Sequence, residues 1–311
     1  MTFKIPYGCD TFGRLTRVML HRPGSALRLI NRQNYRHWLF DHPPDIGQFI
    51  EEHDRYRELL AANGVEVFEL GDYVNSHHEL IPRLPNLTYL HDTAVISSRG
   101  AMMSAMAREG RRHEERVVRE ALTNLGIPIL TEFDNPHHAF EGCLLLSPET
   151  ILIAKTERHN QAAIDSFISH ALNVFPEIIC VDVPQARRYM HPDTIFNRLS
   201  RNLALVYLPA FKRTRRFTER GAAEIDFARE MQRRGMELIS VSSSEQRRLA
   251  CSFVPLEPGV IMHYDTALDK ETRATLSQKG VEIIFFHPEA ITAGGGSLRC
   301  LTLRLHRASP D

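Results

Sequence analysis

The sequence predicts an α/β protein built from many short strands. Short β-branched or apolar runs alternate with longer amphipathic stretches along the whole chain. The composition is that of a globular protein, with 43% hydrophobic and 24% charged residues among 311. This length allows one large domain or about two smaller ones. Because no linker rich in Gly, Ser or Pro divides the chain, we interpret residues 1–311 as a single domain.

The elements follow from the periodicity of apolar residues. In the first half we expect strands at 17–20, 65–70, 127–130 and 150–154, with helices over 47–63 and 113–125 and a third beginning near Asn160. In the second half we expect strands at 178–183, 203–209, 237–241, 259–264 and 281–286, with helices near 219–234 and 270–279.

Charge and cysteine content narrow the classes of partner. Lys+Arg and Asp+Glu both number 38, so no global field recruits nucleic acid or an anionic membrane, and a small-molecule partner is favoured. The basic runs at 198–201 and 212–216 lack interleaved aromatic residues and are interpreted as solvated faces. Five cysteines without a C-x-x-C pair indicate a reducing compartment, and no stretch is apolar enough for export or membrane spanning. We therefore expect a cytoplasmic protein.

A glycine-rich segment near the C-terminus precedes a cysteine. Three glycines at 294–296 permit positive φ angles and close backbone approach, and Cys300 follows them. A thiol in such a loop can serve as a nucleophile that backbone N–H groups face. The alternative is a glycine turn followed by a buried structural cysteine.

Two nearly identical segments carry a histidine and an aspartate two residues apart. They are MHPDT at 190–194 and MHYDT at 262–266. On an extended segment both side chains leave the same face, which suits a general acid/base beside a cation-binding carboxylate. The pattern alone is weak, because most histidines are surface residues or satisfied core residues.

Spacing separates the two histidines. Asp92 and Glu141, each expected at the tip of a strand, lie 49 positions apart, and His191 lies 50 positions beyond Glu141. The interval from His191 to Cys300 is 109, near twice that period, whereas His263 is out of phase. A recurring interval of this length is typical of a supersecondary unit used several times.

The motifs, taken in order, resemble those of the guanidine-modifying or pentein superfamily. That superfamily includes arginine deiminases, dimethylarginine dimethylaminohydrolases, agmatine deiminases and amidinotransferases, and the arginine deiminases are most similar. The likeness covers nearly the whole chain, through the segments at 13–24, 39–41, 52–53, 64–67, 85–92, 106–114, 140–142, 157–158, 190–194 and 294–300.

The resemblance implies a fold and a set of catalytic roles. The fold would be a five-bladed α/β propeller of pseudo-fivefold ββαβ units. Cys300 would be the nucleophile, His191 the general acid/base and Glu141 the residue that orients it, while Asp92 and Asp193 would clamp a guanidinium. No metal or organic cofactor is implied, and homo-oligomerisation is left open.

The resemblance also implies substrate contacts. Arg111 and Arg158 match residues that bind the substrate α-carboxylate, and Asn86 and Tyr89 lie in a substrate-binding motif. Gly295 is also placed at the substrate, but arginine deiminases usually carry an arginine there. The expected activity is hydrolysis of the guanidinium of free arginine, or a close analogue, to ammonia and a citrulline-type product. Hydrolysis of methylated arginine, transfer of the amidino group to an amine, and a non-catalytic arginine-binding role are the alternatives.

Overall fold

The computed structural model describes residues 4–131 and 139–309 and contains the predicted mixture of helices and short strands. The elements up to residue 182 are β1 (Leu15–Leu20), α1 (Ile46–Ala62), β2 (Glu66–Glu69), β3 (Ala94–Ser97), β4 (Gly100–Met103), α2 (Glu114–Asn124), β5 (Ile129–Thr131), β6 (Leu144–Ser147), β7 (Thr150–Lys155), α3 (Gln161–Ala171) and β8 (Glu177–Asp182). Those that follow are β9 (Phe196–Arg198), β10 (Leu203–Val206), β11 (Arg213–Thr218), β12 (Gly221–Ile225), α4 (Phe227–Arg233), β13 (Glu237–Ser240), α5 (Ser243–Arg247), β14 (Val254–Glu257), β15 (Val260–Tyr264), α6 (Lys270–Gln278), β16 (Glu282–Phe286), α7 (Leu298–Leu301) and β17 (Leu303–Arg307).

One ββαβ arrangement recurs five times among the described residues. In each unit two strands pair antiparallel, a helix follows, and a third strand pairs parallel with the second strand. The units are β3-β4-α2-β5, β6-β7-α3-β8, β9-β10-α4-β13, β14-β15-α6-β16 and β17-β1-α1-β2, the last of which joins the two ends of the chain. The interval near 50 residues in the sequence thus corresponds to the length of one unit.

The predicted helix over 219–234 is wrong in its first half. Residues 221–225 form β12, which pairs antiparallel with β11, and only Phe227–Arg233 is helical. Gly221, at φ +115°, begins β12 at the hairpin turn, and the side chain of Asp226 caps the helix by accepting from the backbone N–H of Arg229. The hairpin extends the β6-β7-β8 sheet to five strands.

The basic run at 212–216 lies largely within β11, and Lys212 and Arg213 are exposed, as expected for a solvated face. β11 pairs antiparallel with β8, and its arginines meet acids on both neighbouring strands. Arg213 Nε lies 2.8 Å from Glu224, and Arg215 Nη2 lies 3.3 Å from Asp182. Cross-strand ion pairs therefore account for this run.

The expected catalytic acids precede strands instead of following them. The apolar residues before Asp92 form 3₁₀ turns at Pro85–Thr88 and Leu90–Thr93, and β3 begins only after them. Glu141 likewise precedes β6, His191 precedes β9 and Cys300 precedes β17. In each of these units the candidate site residue thus lies in the segment just before the first strand.

The helices pack their apolar faces against the sheets. In α1 the buried side chains include Phe49, Tyr56 and Leu60, and in α3 they include Ile164 and Phe167. The resulting apolar clusters stabilise the units and hold the segments between them in place. Of the helices in the described part of the chain, none has the length and apolarity required to span a bilayer.

Candidate active site

The pocket beside Cys300 brings together residues from distant parts of the chain. Most of the side chains expected to act on substrate line it: Asn86, Tyr89, Asp92, Arg111, Arg158, His191 and Cys300. Glu141 and Asp193 are buried behind this lining, and Gly295 lines a neighbouring, larger cavity.

His191 lies between two carboxylates. Its Nε2 is 3.1 Å from Glu141 Oε2, and its Nδ1 is 3.2 Å from Asp92 Oδ1. Gly142, at φ +70°, packs against the ring, and a Cβ there would come within 2.9 Å of it. Glycine at this position therefore allows the Glu141 segment to approach the histidine closely.

The charged groups around His191 and Glu141 determine the protonation states of these two residues. Burial alone would lower the pKa of His191, but Asp92 and Glu141 outweigh it and raise that pKa above the usual value. Burial would raise the pKa of Glu141, but Arg158, His191 and Arg111 hold it well below the usual range. The site accordingly favours an imidazolium facing a carboxylate.

His159 holds Glu141 in place and was missed from the sequence. Its Nδ1 donates to the Ala154 carbonyl at 2.7 Å, and its Nε2 accepts from the Glu141 backbone N–H at 3.0 Å. The ring stacks on Phe140 with centroids 4.9 Å apart. Burial lowers the pKa of His159 to about 4, so the ring stays neutral and can accept this bond.

Asp92 is fixed from its other side by Arg111. Arg111 Nη1 donates to Asp92 Oδ2 at 2.5 Å, while Nε and Nη2 donate to Glu114 at 3.0 and 2.8 Å. Nη2 also donates to the Tyr89 carbonyl at 3.1 Å. All three guanidinium nitrogens of Arg111 thus donate hydrogen bonds to other residues of the protein.

Asp193 has polar contacts at Oδ2, whereas its Oδ1 has no hydrogen-bond partner among the described residues. Ser252 Oγ lies 3.3 Å from Asp193 Oδ2 and donates to the Asp193 carbonyl, and Arg299 Nε lies 3.5 Å from Oδ2. Ser252 directly precedes β14, so the fourth unit contributes from the same position as the others. The sequence offered no signal for Ser252 other than that position.

Cys300 lies in the short helix α7 behind a serine N-cap. Ser297 Oγ accepts from the Cys300 N–H at 3.3 Å and is 3.4 Å from Sγ. Burial, Asp193 and Asp92 together raise the pKa of the thiol to about 12. Burial and these two acids therefore favour the protonated thiol of Cys300.

Three buried polar atoms around the pocket have no hydrogen-bond partner within the described ranges. They are Asp92 Oδ1, which faces His191 Nδ1 at 3.2 Å without forming a hydrogen bond, Asp193 Oδ1 and Arg158 Nη1. A buried polar group without a partner is costly, so such atoms mark places where a ligand supplies the missing bond. The two oxygens require donors, and the nitrogen requires an acceptor.

The model of the arginine deiminase family matches residues 72–307, well over half of the chain. The chain belongs to the arginine deiminase family. It is accordingly a hydrolase that acts on C–N bonds of amidines. Among curated relatives, arginine deiminase of Mycoplasma capricolum is 22% identical over 392 residues, covering 95% of each chain. The protein YkgA of Bacillus subtilis is 25% identical over 301 residues, covering 96% of this chain and 95% of its own.

Solved structures of pentein proteins share the fold. The N-terminal domain of ArgZ, an arginine dihydrolase from cyanobacteria, superposes with a TM-score of 0.71 at 17% identity, covering 94% of this chain and 97% of that domain. A dimethylarginine dimethylaminohydrolase gives 0.66 at 15% identity, covering 93% and 99%. AgrE, crystallised with ornithine and NAD⁺, gives 0.72 at 17% identity, and this chain spans only 40% of its length.

This member of the family packs its glycine loop against an aromatic ring. A Cβ at Gly294 would come within 1.8 Å of the Tyr89 hydroxyl, and one at Gly296 within 2.4 Å of the ring. Tyr89 itself is buried. Positions 294 and 296 therefore require glycine, because Tyr89 lies too close to the loop that carries Cys300 to leave room for a Cβ.

Arg187, which sequence reasoning missed, covers the pocket beside Gly295. Its Nη2 donates to the carbonyls of Leu39 and Gly294, and Nη1 lies 3.4 Å from Asp41. A Cβ at Gly295 would come within 2.8 Å of this guanidinium. Leu39, at φ +61°, lines the same pocket.

Asp92, Glu141 and His191 also form the one group of potential metal ligands found within the described ranges, with ligand atoms within 4.8 Å of one another. Arg111 and Arg158 lie within 3.8 Å of these carboxylates and counterbalance them. A divalent cation there would face two guanidiniums, so the group is better suited to protons and hydrogen bonds.

Proposed function

We propose that this enzyme hydrolyses the guanidinium of free arginine, or of a close analogue, to ammonia and a citrulline-type product. The proposal rests on the unpartnered oxygens of Asp92 and Asp193. Both carboxylates are close enough to Cys300 to raise the pKa of its thiol. A planar guanidinium presents N–H donors in a fork and would pair with both oxygens while its central carbon faces Sγ.

The bound cation would also activate the nucleophile. Asp92 and Asp193 keep the thiol protonated, and a positive charge between them offsets that effect and lowers the pKa of Cys300. The thiol releases its proton to solvent as the cation binds, and the thiolate then attacks the guanidinium carbon and forms a C–S bond. His191 donates its proton to the departing nitrogen, so ammonia leaves and a thiouronium remains on Cys300.

Hydrolysis of that intermediate would use the same histidine in reverse. His191, neutral after the first step, accepts a proton from a water that attacks the thiouronium carbon. The C–S bond breaks, the product gains the carbonyl oxygen, and His191 regains its proton. Glu141 supports both steps because its carboxylate favours the imidazolium and fixes the ring.

The far end of the substrate would be recognised mainly by Arg158. Its Nη1 is 3.8 Å from Glu141 and has no hydrogen-bond partner, whereas Arg111 is fully engaged with Asp92, Glu114 and Tyr89. An α-carboxylate would satisfy this free nitrogen. We therefore assign the carboxylate contact to Arg158 and a supporting role, through Asp92, to Arg111. Asn86, whose amide donates to the Trp38 carbonyl at 2.7 Å, would lie alongside.

We also infer that the five ββαβ units surround one axis as a propeller. Asp92, Glu141, Asp193, Ser252 and Cys300 precede the first strands of five different units and converge on one cluster. A circular arrangement of the units is the simplest way to bring equivalent segments together.

The substrate test is a product analysis by mass spectrometry. Arginine, methylated arginines, agmatine and canavanine are each offered in H₂¹⁸O, with and without an acceptor amine. We expect one ¹⁸O in the product from arginine or a close analogue, ammonia release and no amine adduct. Amidino transfer to the amine, or turnover of dimethylarginine alone, would contradict the proposal.

The carboxylate contact is tested with Arg158→Met and the exposed control Arg213→Met. We expect kcat/KM for arginine to fall roughly 10- to 100-fold in the first variant, while that for agmatine changes little. Equal losses on both substrates would make Arg158 structural, and the control should leave both values unchanged.

A further inference from the structure

A second small cavity, distinct from the catalytic pocket, is lined by four arginines: Arg198, Arg299, Arg304 and Arg307. Its other walls are largely apolar and include Phe12, Leu144, Leu146, Phe196 and Pro255. The volume of about 20 Å³ admits one water-sized group. Four cationic side chains around so small a space require an explanation.

Two of these arginines lack adequate partners. Arg299 is 1% exposed, and its Nε has no hydrogen bond, the nearest acid being Asp193 at 3.5 Å. The Arg304 side chain is partly exposed, and its buried Nε has no hydrogen-bond partner among the described residues. Both guanidiniums therefore keep unsatisfied donors within the protein.

The other two are held by neutral groups only. Arg307 donates to the carbonyls of Gly13 and Pro255 at 2.8 and 2.6 Å. Arg198 donates to the carbonyls of Leu146 and Arg201, and its Nε has no partner. The Phe12 ring lies 4.6 Å from the Arg198 guanidinium carbon and 5.5 Å from that of Arg307, which places both guanidiniums around one side chain.

The charges around this cavity do not balance within the described residues. Among the residues that the structure describes, Asp193 is the one carboxylate in an ion pair with these four arginines, and it also borders the catalytic pocket. Burial, together with the charge of Arg304, lowers the pKa of Arg307 to about 9, so the guanidinium remains protonated at neutral pH. A buried charge without a counter-charge is strongly destabilising, and arginine cannot relieve it by losing its proton.

We propose that this cavity binds a small monovalent anion of halide size, held by Arg299, Arg304 and Arg307. The anion would supply both the missing charge and the missing acceptor for the free donors. A space that admits one water-sized group favours a monatomic ion over phosphate or sulfate, and the apolar walls suit a weakly hydrated ion. Arg299 connects the site to catalysis because it adjoins Cys300 and pairs with Asp193.

The first test compares sodium chloride with sodium gluconate at equal ionic strength. We expect chloride to raise the Tm by roughly 3–6 °C at a concentration about 100 times the Kd, and phosphate to behave as gluconate does. Equal Tm values in all three salts, or stabilisation by phosphate alone, would overturn the proposal.

The second test locates the ion in crystals of the unaltered enzyme. Crystals soaked in sodium bromide should show an anomalous peak between the guanidiniums of Arg299, Arg304 and Arg307. A fully hydrated cavity without such a peak would overturn the proposal, whatever the behaviour of any variant.

Arg304→Met tests the charge itself. It removes the guanidinium whose Nε has no partner and keeps much of the side-chain volume, so we expect the chloride-dependent Tm shift to fall by at least half. In gluconate this variant should be at least as stable as the native protein, since a buried uncompensated charge is gone. Arg213→Met, on the exposed face of β11, should retain the full shift, and an undiminished shift in Arg304→Met would overturn the assignment.

Discussion

Two segments of almost the same sequence have opposite environments in this protein. MHPDT at 190–194 places His191 between Asp92 and Glu141, at 3.2 and 3.1 Å. MHYDT at 262–266 lies in β15 and its continuation, where His263 Nε2 donates to the Ala250 carbonyl at 3.1 Å and the ring meets Phe253 edge-on. The pKa of His191 is raised by its carboxylates, whereas burial lowers that of His263 to about 4.

The aspartates differ in the same way. Asp193 is buried beside Cys300 with one free oxygen, whereas Asp265 pairs with the exposed His287 at 2.8 Å. Acid/base chemistry thus depends on which charges surround a histidine rather than on its sequence motif. The predictions that follow use the 262–266 segment and its neighbours as the matched control for the 190–194 segment.

The largest difference is expected between the cysteines adjoining the two regions. Cys300→Ser should lower kcat by roughly 10⁴-fold or more because the hydroxyl is a far weaker nucleophile in this site. Cys251→Ser, beside the carbonyl that His263 contacts, should leave kcat within about twofold. A haloacetamidine should label Cys300, as read by peptide mass mapping. Label on Cys251, or near-native turnover in Cys300→Ser, would contradict the assignment.

The next largest difference is expected between His191 and His263, in the effects of their replacement on kcat and Tm. His191→Ala removes the proton donor and acceptor, and we expect a loss in kcat of roughly 10²- to 10⁴-fold. His263→Ala should instead lower the Tm, because it leaves a cavity and an unpaired carbonyl, while kcat changes less than about threefold. Steady-state kinetics and thermal unfolding of both variants decide this. A catalytic loss confined to His263→Ala would reverse the roles.

Replacing Asp193 or Asp265 should have a smaller effect on kcat/KM, and the direction of the change in the pKa of the Cys300 thiol should distinguish the two aspartates. Asp193→Asn should lower kcat/KM roughly 10- to 100-fold by weakening the guanidinium clamp. The same change removes a negative charge near Cys300, so the pKa of the free thiol should fall from about 12. A pH titration of the ultraviolet absorbance of the thiolate measures this pKa. Asp265→Asn should change neither quantity. A thiol pKa that rises in Asp193→Asn would refute the electrostatic account.

The last contrast concerns the pH dependence of the free energy of unfolding. His191 and His263 should contribute to it with opposite signs. The pKa of His263 is depressed, so its contribution is present above pH 6.5 and is lost as the pH falls towards 4, with a full value of about 3 kcal/mol. The pKa of His191 is raised, so its contribution is present below pH 6.5 and is lost as the pH rises through the folded-state pKa.

Urea unfolding of His263→Gln and His191→Gln across this pH range measures both terms. The first variant should lose less stability on acidification than the native protein, and the second should lose less on alkalinisation. Identical pH profiles for the two variants would show that their environments do not differ in the way the contacts imply.

Much of the architecture could be predicted from the sequence by itself. The interval between Asp92, Glu141 and His191 reflects the length of the ββαβ unit, and the phase of that interval distinguishes His191 from His263. The glycines at 294–296 and the thiol after them marked the loop that carries Cys300. These sequence patterns are local, because turns, the periodicity of buried residues and the length of the unit are determined by residues that are close in the sequence.

Tertiary structure alone decided the partners of those residues. His159 supports Glu141 from 18 positions away, Ser252 meets Asp193 from 59, and Arg187 reaches Gly294 from 107. Residues 221–225, which the sequence predicts as part of a helix, form β12 because they pair with β11, which in turn pairs with β8. No local pattern encodes such contacts, because they arise only when separate units pack together and bring their leading segments to one place.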